Sequence, residues 1–82
     1  MYNLGYYYEN IEYDFEKMKK YYEMAIKGGK HVSAMNRLGY KLLINNDYDN
    51  AVKYLEMAVE NGSVFAMYKL GNYNKNIKKD YD

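Results

Sequence analysis

Apolar residues along this chain recur at steps of three and four, with polar residues between them. From Tyr48 they fall at Ala51, Val52, Leu55, Ala58 and Val59, and from Phe15 at Met18, Tyr22, Ala25 and Ile26. A third series runs Ala34, Met35, Leu38 and Leu42. Such a stripe is one face of a helix turned toward a core. Asp14, Asp47, Ser33 and Ser63 stand where a side-chain oxygen can accept from the free amides of a helix start. Gly28-Gly29 and Gly62 stand where a helix ends, because glycine takes the left-handed conformation without steric cost. Glu16 with Lys20, and Glu23 with Lys27, sit four apart and support an exposed face. These signals predict five helices over about 1–10, 14–28, 33–45, 47–61 and 65–77. The connections are short, so neighbouring helices reverse direction.

The helices are copies of one another. Met1-Tyr2-Asn3-Leu4-Gly5 recurs as Met35-Asn36-Arg37-Leu38-Gly39 and again as Met67-Tyr68-Lys69-Leu70-Gly71, at offsets of 34 and 32. Between these blocks, Asp14-Phe15, Tyr21 and Glu23-Met24-Ala25 match Asp47-Tyr48, Tyr54 and Glu56-Met57-Ala58 at an offset of 33. Asp80-Tyr81-Asp82 echoes Asp47-Tyr48-Asp49 at the same offset. One repeat domain over 1–82 is therefore expected, with a first unit over about 1–32, a second over 33–64 and a partial third over 65–82. Its fold class is all-α, an α-solenoid of antiparallel helix pairs.

Leu4-Gly5 followed by Tyr8 resembles the first helix of a tetratricopeptide repeat, and Ala51 with Ala58 resembles the second. Two features resemble the related Sel-one-like repeat more closely. One is the run Ala58-x-x-x-Gly62-x-x-x-Ala66-x-x-x-Leu70-Gly71, and the other is the absence of proline after the second helix. Ala25, Gly28-Gly29, Ala34 and Leu38-Gly39 follow the same run with one extra loop residue. Met18 departs from the small residue common at its place, and Leu42 and Asn74 replace the Tyr8 of the first copy. Met1 aligns with Met35 and Asp82 with Asp49, so the chain reads as a piece of a longer array or as about two and a half repeats. Stacking should bury Leu4, Leu38, Leu70, Tyr22, Leu55, Ala25 and Ala58, with Gly39 allowing close approach of two helices. The final first-type helix, Ala66 to Ile77, has no second helix in the sequence, and its Met67 and Leu70 side should be partly uncovered.

Composition narrows the chemistry. Twelve basic and eleven acidic residues give a formal charge of +1, without the basic stripe of a nucleic-acid binder. Lys17, Lys19 and Lys20 are ringed by Glu12, Asp14, Glu16 and Glu23 and read as a solvated face. No apolar run is long enough to span a bilayer, and the first ten residues lack a signal-peptide layout. The expectation is a soluble intracellular, cytoplasmic protein. Arrays with this Tyr/Asn/Lys bias resemble those of large DNA viruses, which would place it in a host cytoplasm. Asn61-Gly62-Ser63 matches a glycosylation acceptor but reads more simply as a helix-ending turn. Cysteine is absent and His31 is the sole histidine, so a zinc site lacks ligands. Asp47-x-Asp49 lacks the glycine of a calcium loop. Ser33 and His31 lack a third member, and the glycine pairs follow no strand. No enzyme activity and no cofactor are expected.

In tetratricopeptide-like stacks the first helix of each pair lines a concave groove. Carried onto this chain, the resemblance implies a groove of Tyr2, Tyr6, Glu9, Asn36, Tyr40, Leu43, Tyr68, Asn72 and Lys75. It implies a protein or peptide partner. One alternative is self-association through the uncovered C-terminal helix. Another is single-stranded RNA stacked on tyrosine beside lysine, although balanced charge and core-facing tyrosines weigh against nucleic acid.

Overall fold

A computed structural model describes residues 2–76. Those residues form five helices: α1 (Tyr2–Asn10), α2 (Phe15–Gly29), α3 (Val32–Ile44), α4 (Tyr48–Glu60) and α5 (Val64–Asn76). No strand occurs among the described residues. Each helix packs on the next in the chain, and α3 also touches α5. Links of two to four residues between packed helices force each to run back along its predecessor. Each of the four links holds one residue in the left-handed region: Tyr13, Lys30, Asn46 and Gly62.

The core lies where the apolar stripes meet. Met18, Tyr22 and Ile26 come from α2, and Ala34, Met35, Leu38 and Leu42 from α3. Ala51, Leu55 and Ala58 come from α4 and Ala66 from α5. Burying each large apolar side chain contributes about 1.5–3 kcal/mol, so α3, the best-covered helix, anchors the assembly. Glycine lets the helices close on one another. A Cβ on Gly5 would stand 2.5 Å from the Tyr22 ring, and one on Gly39 would stand 2.8 Å from Leu55.

Several local expectations need correction. Leu4 is 42% exposed, although its counterpart Leu38 is fully buried. Leu38 sits on a helix packed against both α2 and α4, whereas α1 packs chiefly on α2 and no described helix precedes it. Ala25 and Leu70 are half-buried and pack against the core edge. Helix α2 continues through both Gly28 and Gly29, and Lys30 takes the left-handed position, its amide donating to Ile26 O. Ser33 lies inside α3 and is exposed. His31 caps that helix, its Nδ1 accepting from the Ala34 amide. Asp47 precedes α4, but its side chain accepts no backbone amide and takes the Asn50 side-chain amide instead. Asp14 and Ser63 cap as expected, accepting from Lys17 N and Ala66 N. Neither Glu16–Lys20 nor Glu23–Lys27 forms an ion pair among the described residues. Glu23 accepts from the Tyr54 hydroxyl instead. Ile77 and the echo over Asp80-Tyr81-Asp82 lie outside the described residues.

Candidate ligand cleft

Three helices carry the polar centre of the molecule. Glu9 sits near the end of α1 with its side chain only 7% exposed. Its carboxylate accepts from the Tyr22 hydroxyl of α2, and its two oxygens accept from Arg37 Nη1 of α3 at 3.2 and 3.3 Å. Lys41 Nζ stands 3.7 Å away, one turn along α3. Arg37 Nε also donates to the Tyr2 hydroxyl at 2.9 Å, and its guanidinium lies 4.6 Å from the Tyr6 ring centre. Arginine suits this node because its planar fork bonds two partners while stacking on a ring. It is the sole arginine among twelve basic residues.

Two members of the node, Tyr22 and Arg37, have raised pKa values. Burial pushes the Tyr22 hydroxyl far above the usual tyrosine range, helped by its bond to Glu9 and the charge there. Burial alone would lower Arg37, but the Tyr2 hydrogen bond and the Glu9 charge outweigh it and hold the guanidinium charged. Tyr22 therefore remains a neutral donor and Glu9 its acceptor, which fixes α1 against α2 and α3.

A cleft of about 390 Å³ opens beside this node, lined by Tyr2, Glu9, Ser33, Asn36, Arg37, Tyr40 and Phe65. One wall is the Tyr40 ring, met edge-on by Phe65 at 6.0 Å. Lys69 Nζ lies 4.5 Å from the Tyr40 ring centre and 5.4 Å from that of Phe65. The opposite wall is Tyr2, stacked on His31 at 4.4 Å. The lining residue Asn36 is held through its Oδ1 by Ser63 Oγ, which donates to it at 2.6 Å and accepts from the Ala66 amide. Ser63 thus takes the Asn36 oxygen and leaves the Asn36 amide nitrogen to donate. The cleft thus offers aromatic faces, a fixed guanidinium and amide and hydroxyl donors. That set suits binding a polar extended segment.

Of the residues expected in a groove, Tyr2, Glu9, Asn36 and Tyr40 come together here. Tyr6 joins only through its contact with Arg37, and Glu9 is engaged by the node. Leu43 is half-buried and packs against the core. Tyr68 and Lys75 lie exposed on α5 and Asn72 is half-buried there; none of them lines this cleft. Sequence reasoning overlooked Ser33, Arg37 and Phe65. Arg37 lies between the expected groove residue Asn36 and the core residue Leu38, and its being the sole arginine in a lysine-rich chain was a usable signal.

No helix among the described residues is long and apolar enough to cross a membrane. No protein-family model, curated protein or solved structure matches the chain.

Proposed function

We propose that this chain is a stack of helix pairs of the tetratricopeptide or Sel-one-like kind, acting inside the cell as a protein-interaction scaffold. Its cleft takes an extended peptide segment of a partner protein. The internal repeat supports the stack, as does the smallest dimension of 16 Å. That is roughly the thickness of two helices packed 8–10 Å apart. The observation that carries the binding reading is the convergence of rings from α1, α3 and α5 (Tyr2, Tyr40 and Phe65) beside Arg37. Aromatic side chains supply contact area at low entropic cost, with a polar tip for tyrosine, and arginine and tyrosine are frequent interface anchors.

The test is selection of the intact chain against a displayed library of random dodecapeptides. The reading expects an enriched consensus whose synthetic peptide binds the parent, and loses at least tenfold in affinity to Arg37→Ala and to Tyr40→Ala. Enrichment indifferent to both substitutions, or no enrichment, contradicts it.

A further inference from the structure

The three repeated glycines differ in what stands over them. The space above Gly5 is filled by the Tyr22 ring of α2, and that above Gly39 by Leu55 of α4. A Cβ on Gly71 would meet nothing within 4 Å among the described residues. The neighbouring positions change in the same sense. Met35 is 1% exposed, and its counterpart Met67 is 53% exposed. Val64, Met67 and Gly71 share one stripe of α5, with Tyr68 beside it, and all four are exposed.

We infer that this face of α5 is a docking site for an amphipathic helix supplied by a protein partner, built on the pattern of α2 and α4. The two filled positions define the chemistry of the occupant. Helix α4 presents Ala51, Leu55 and Ala58 to the core, and α2 presents Met18, Tyr22 and Ile26. The docked helix carries a leucine or tyrosine over Gly71, with alanine, methionine or isoleucine about one turn to either side. On this stripe α5 holds Lys75, one turn beyond Gly71, and the helix has no carboxylate, so acidic residues flank the docked stripe, as Glu16 and Glu23 do in α2 and Asp49 and Glu56 in α4.

The face is preorganised from behind. Ser63 caps α5 and ties it to Asn36, and Ala66 is fully buried. Lys69 lies over the rings of Tyr40 and Phe65. The helix is therefore held in place on one side while its Gly71 side stays open, and the partner's ordering cost is the main one at docking.

The probe is a labelled peptide of residues 47–61 with blocked ends, titrated into the intact 82-residue protein by fluorescence anisotropy. The protein alone is sedimented over the same concentrations. The expected result is saturable one-to-one binding that weakens at least tenfold in Gly71→Leu, whose side chain occupies the notch. Gly28→Ala, another open helical glycine, leaves it unchanged, and the cleft takes no part in this readout, so failure of the cleft reading and failure of this one are separable. Circular dichroism confirms that Gly71→Leu keeps its helix content, as expected where the new Cβ meets nothing. Binding indifferent to Gly71→Leu would mean that the peptide displaces α4 in its own place, and overturns the inference. So does the absence of binding at millimolar peptide. Self-association of the protein alone that Gly71→Leu abolishes assigns the face to a second copy and likewise overturns it.

Discussion

Helices α3 and α5 carry copies of one segment, 32 residues apart, and they live in different surroundings. Helix α3 buries Ala34, Met35, Leu38, Gly39 and Leu42. Helix α5 buries Ala66, while Met67 and Gly71 are exposed and Leu70 is only half covered. Ala-Met and Leu-Gly are the same in both, so at those positions the difference lies in the neighbours, while beyond the glycine Leu42, Leu43 and Ile44 give way to Asn74, Lys75 and Asn76. Helix α3 lies against α2 and α4, whereas α5 lies against α4 and the edge of α3. In a repeat fold, the contribution of a side chain follows from its place in the stack as much as from its chemistry.

The sharpest way to break this comparison is to truncate the aligned methionines. Met35→Ala should cost about 2–5 kcal/mol, the range for emptying a packed core site. Met67→Ala should stay within about 0.5 kcal/mol, as for surface substitutions. Urea unfolding followed by circular dichroism measures both, and equal losses would erase the distinction.

The two end helices are also held differently. Helix α1 is clasped through Glu9 to Tyr22 and Arg37, whereas α5 is tied to α3 by the Ser63–Asn36 hydrogen bond and by Lys69 over the Tyr40 ring, with no ion pair among the described residues. Glu9→Ala strands a buried tyrosine hydroxyl and should cost about 1–3 kcal/mol. A smaller effect separates the two serines. Ser63→Ala removes a cap and a tie to Asn36 and should cost about 0.5–2 kcal/mol. Ser33→Ala, inside a helix and exposed, should be near neutral in the same unfolding assay.

The smallest effect is read at high pH. Burial, followed by its bond to Glu23, pushes the Tyr54 hydroxyl up to about 12 from an ordinary 10.0. The folded state then holds this proton more tightly than the unfolded state. The resulting stability is fully present below pH 10 and is lost as pH rises toward 12. Tyr22 acts in the same direction. Between pH 9 and about 11.5, Tyr54→Phe should lose less stability than the parent, and identical profiles would remove Tyr54 as a contributor.

The helices and their order were legible because their stripes repeat at three and four residues. Tyr22, Leu38, Leu55 and Ala58 were legible as core for the same reason. Leu4 was not, since it fits the stripe as well as Leu38 does and differs only in what lies outside it. The α2–α3 turn was misread through its glycines. A left-handed Lys30 and a capping His31 serve there, and neither follows from residue preference. The cleft was legible in part. Tyr2, Asn36 and Tyr40 sit on the faces expected of first helices, but the Glu9–Arg37 node joins residues 28 apart, and spacing alone does not reveal such a partnership.

The account turns on one claim, that repeated glycines are filled notches inside the stack and an open one at α5. Thermal melts of Gly39→Leu and Gly71→Leu test it most directly. Leucine at 39 runs into Leu55 and should cost about 1–3 kcal/mol, lowering the melting temperature by at least about 4 °C. At 71 an added Cβ meets nothing within 4 Å among the described residues and the substitution relieves a helical glycine, so the melting temperature should hold or rise slightly. Two melts lowered alike, or two left alike unchanged, would contradict it.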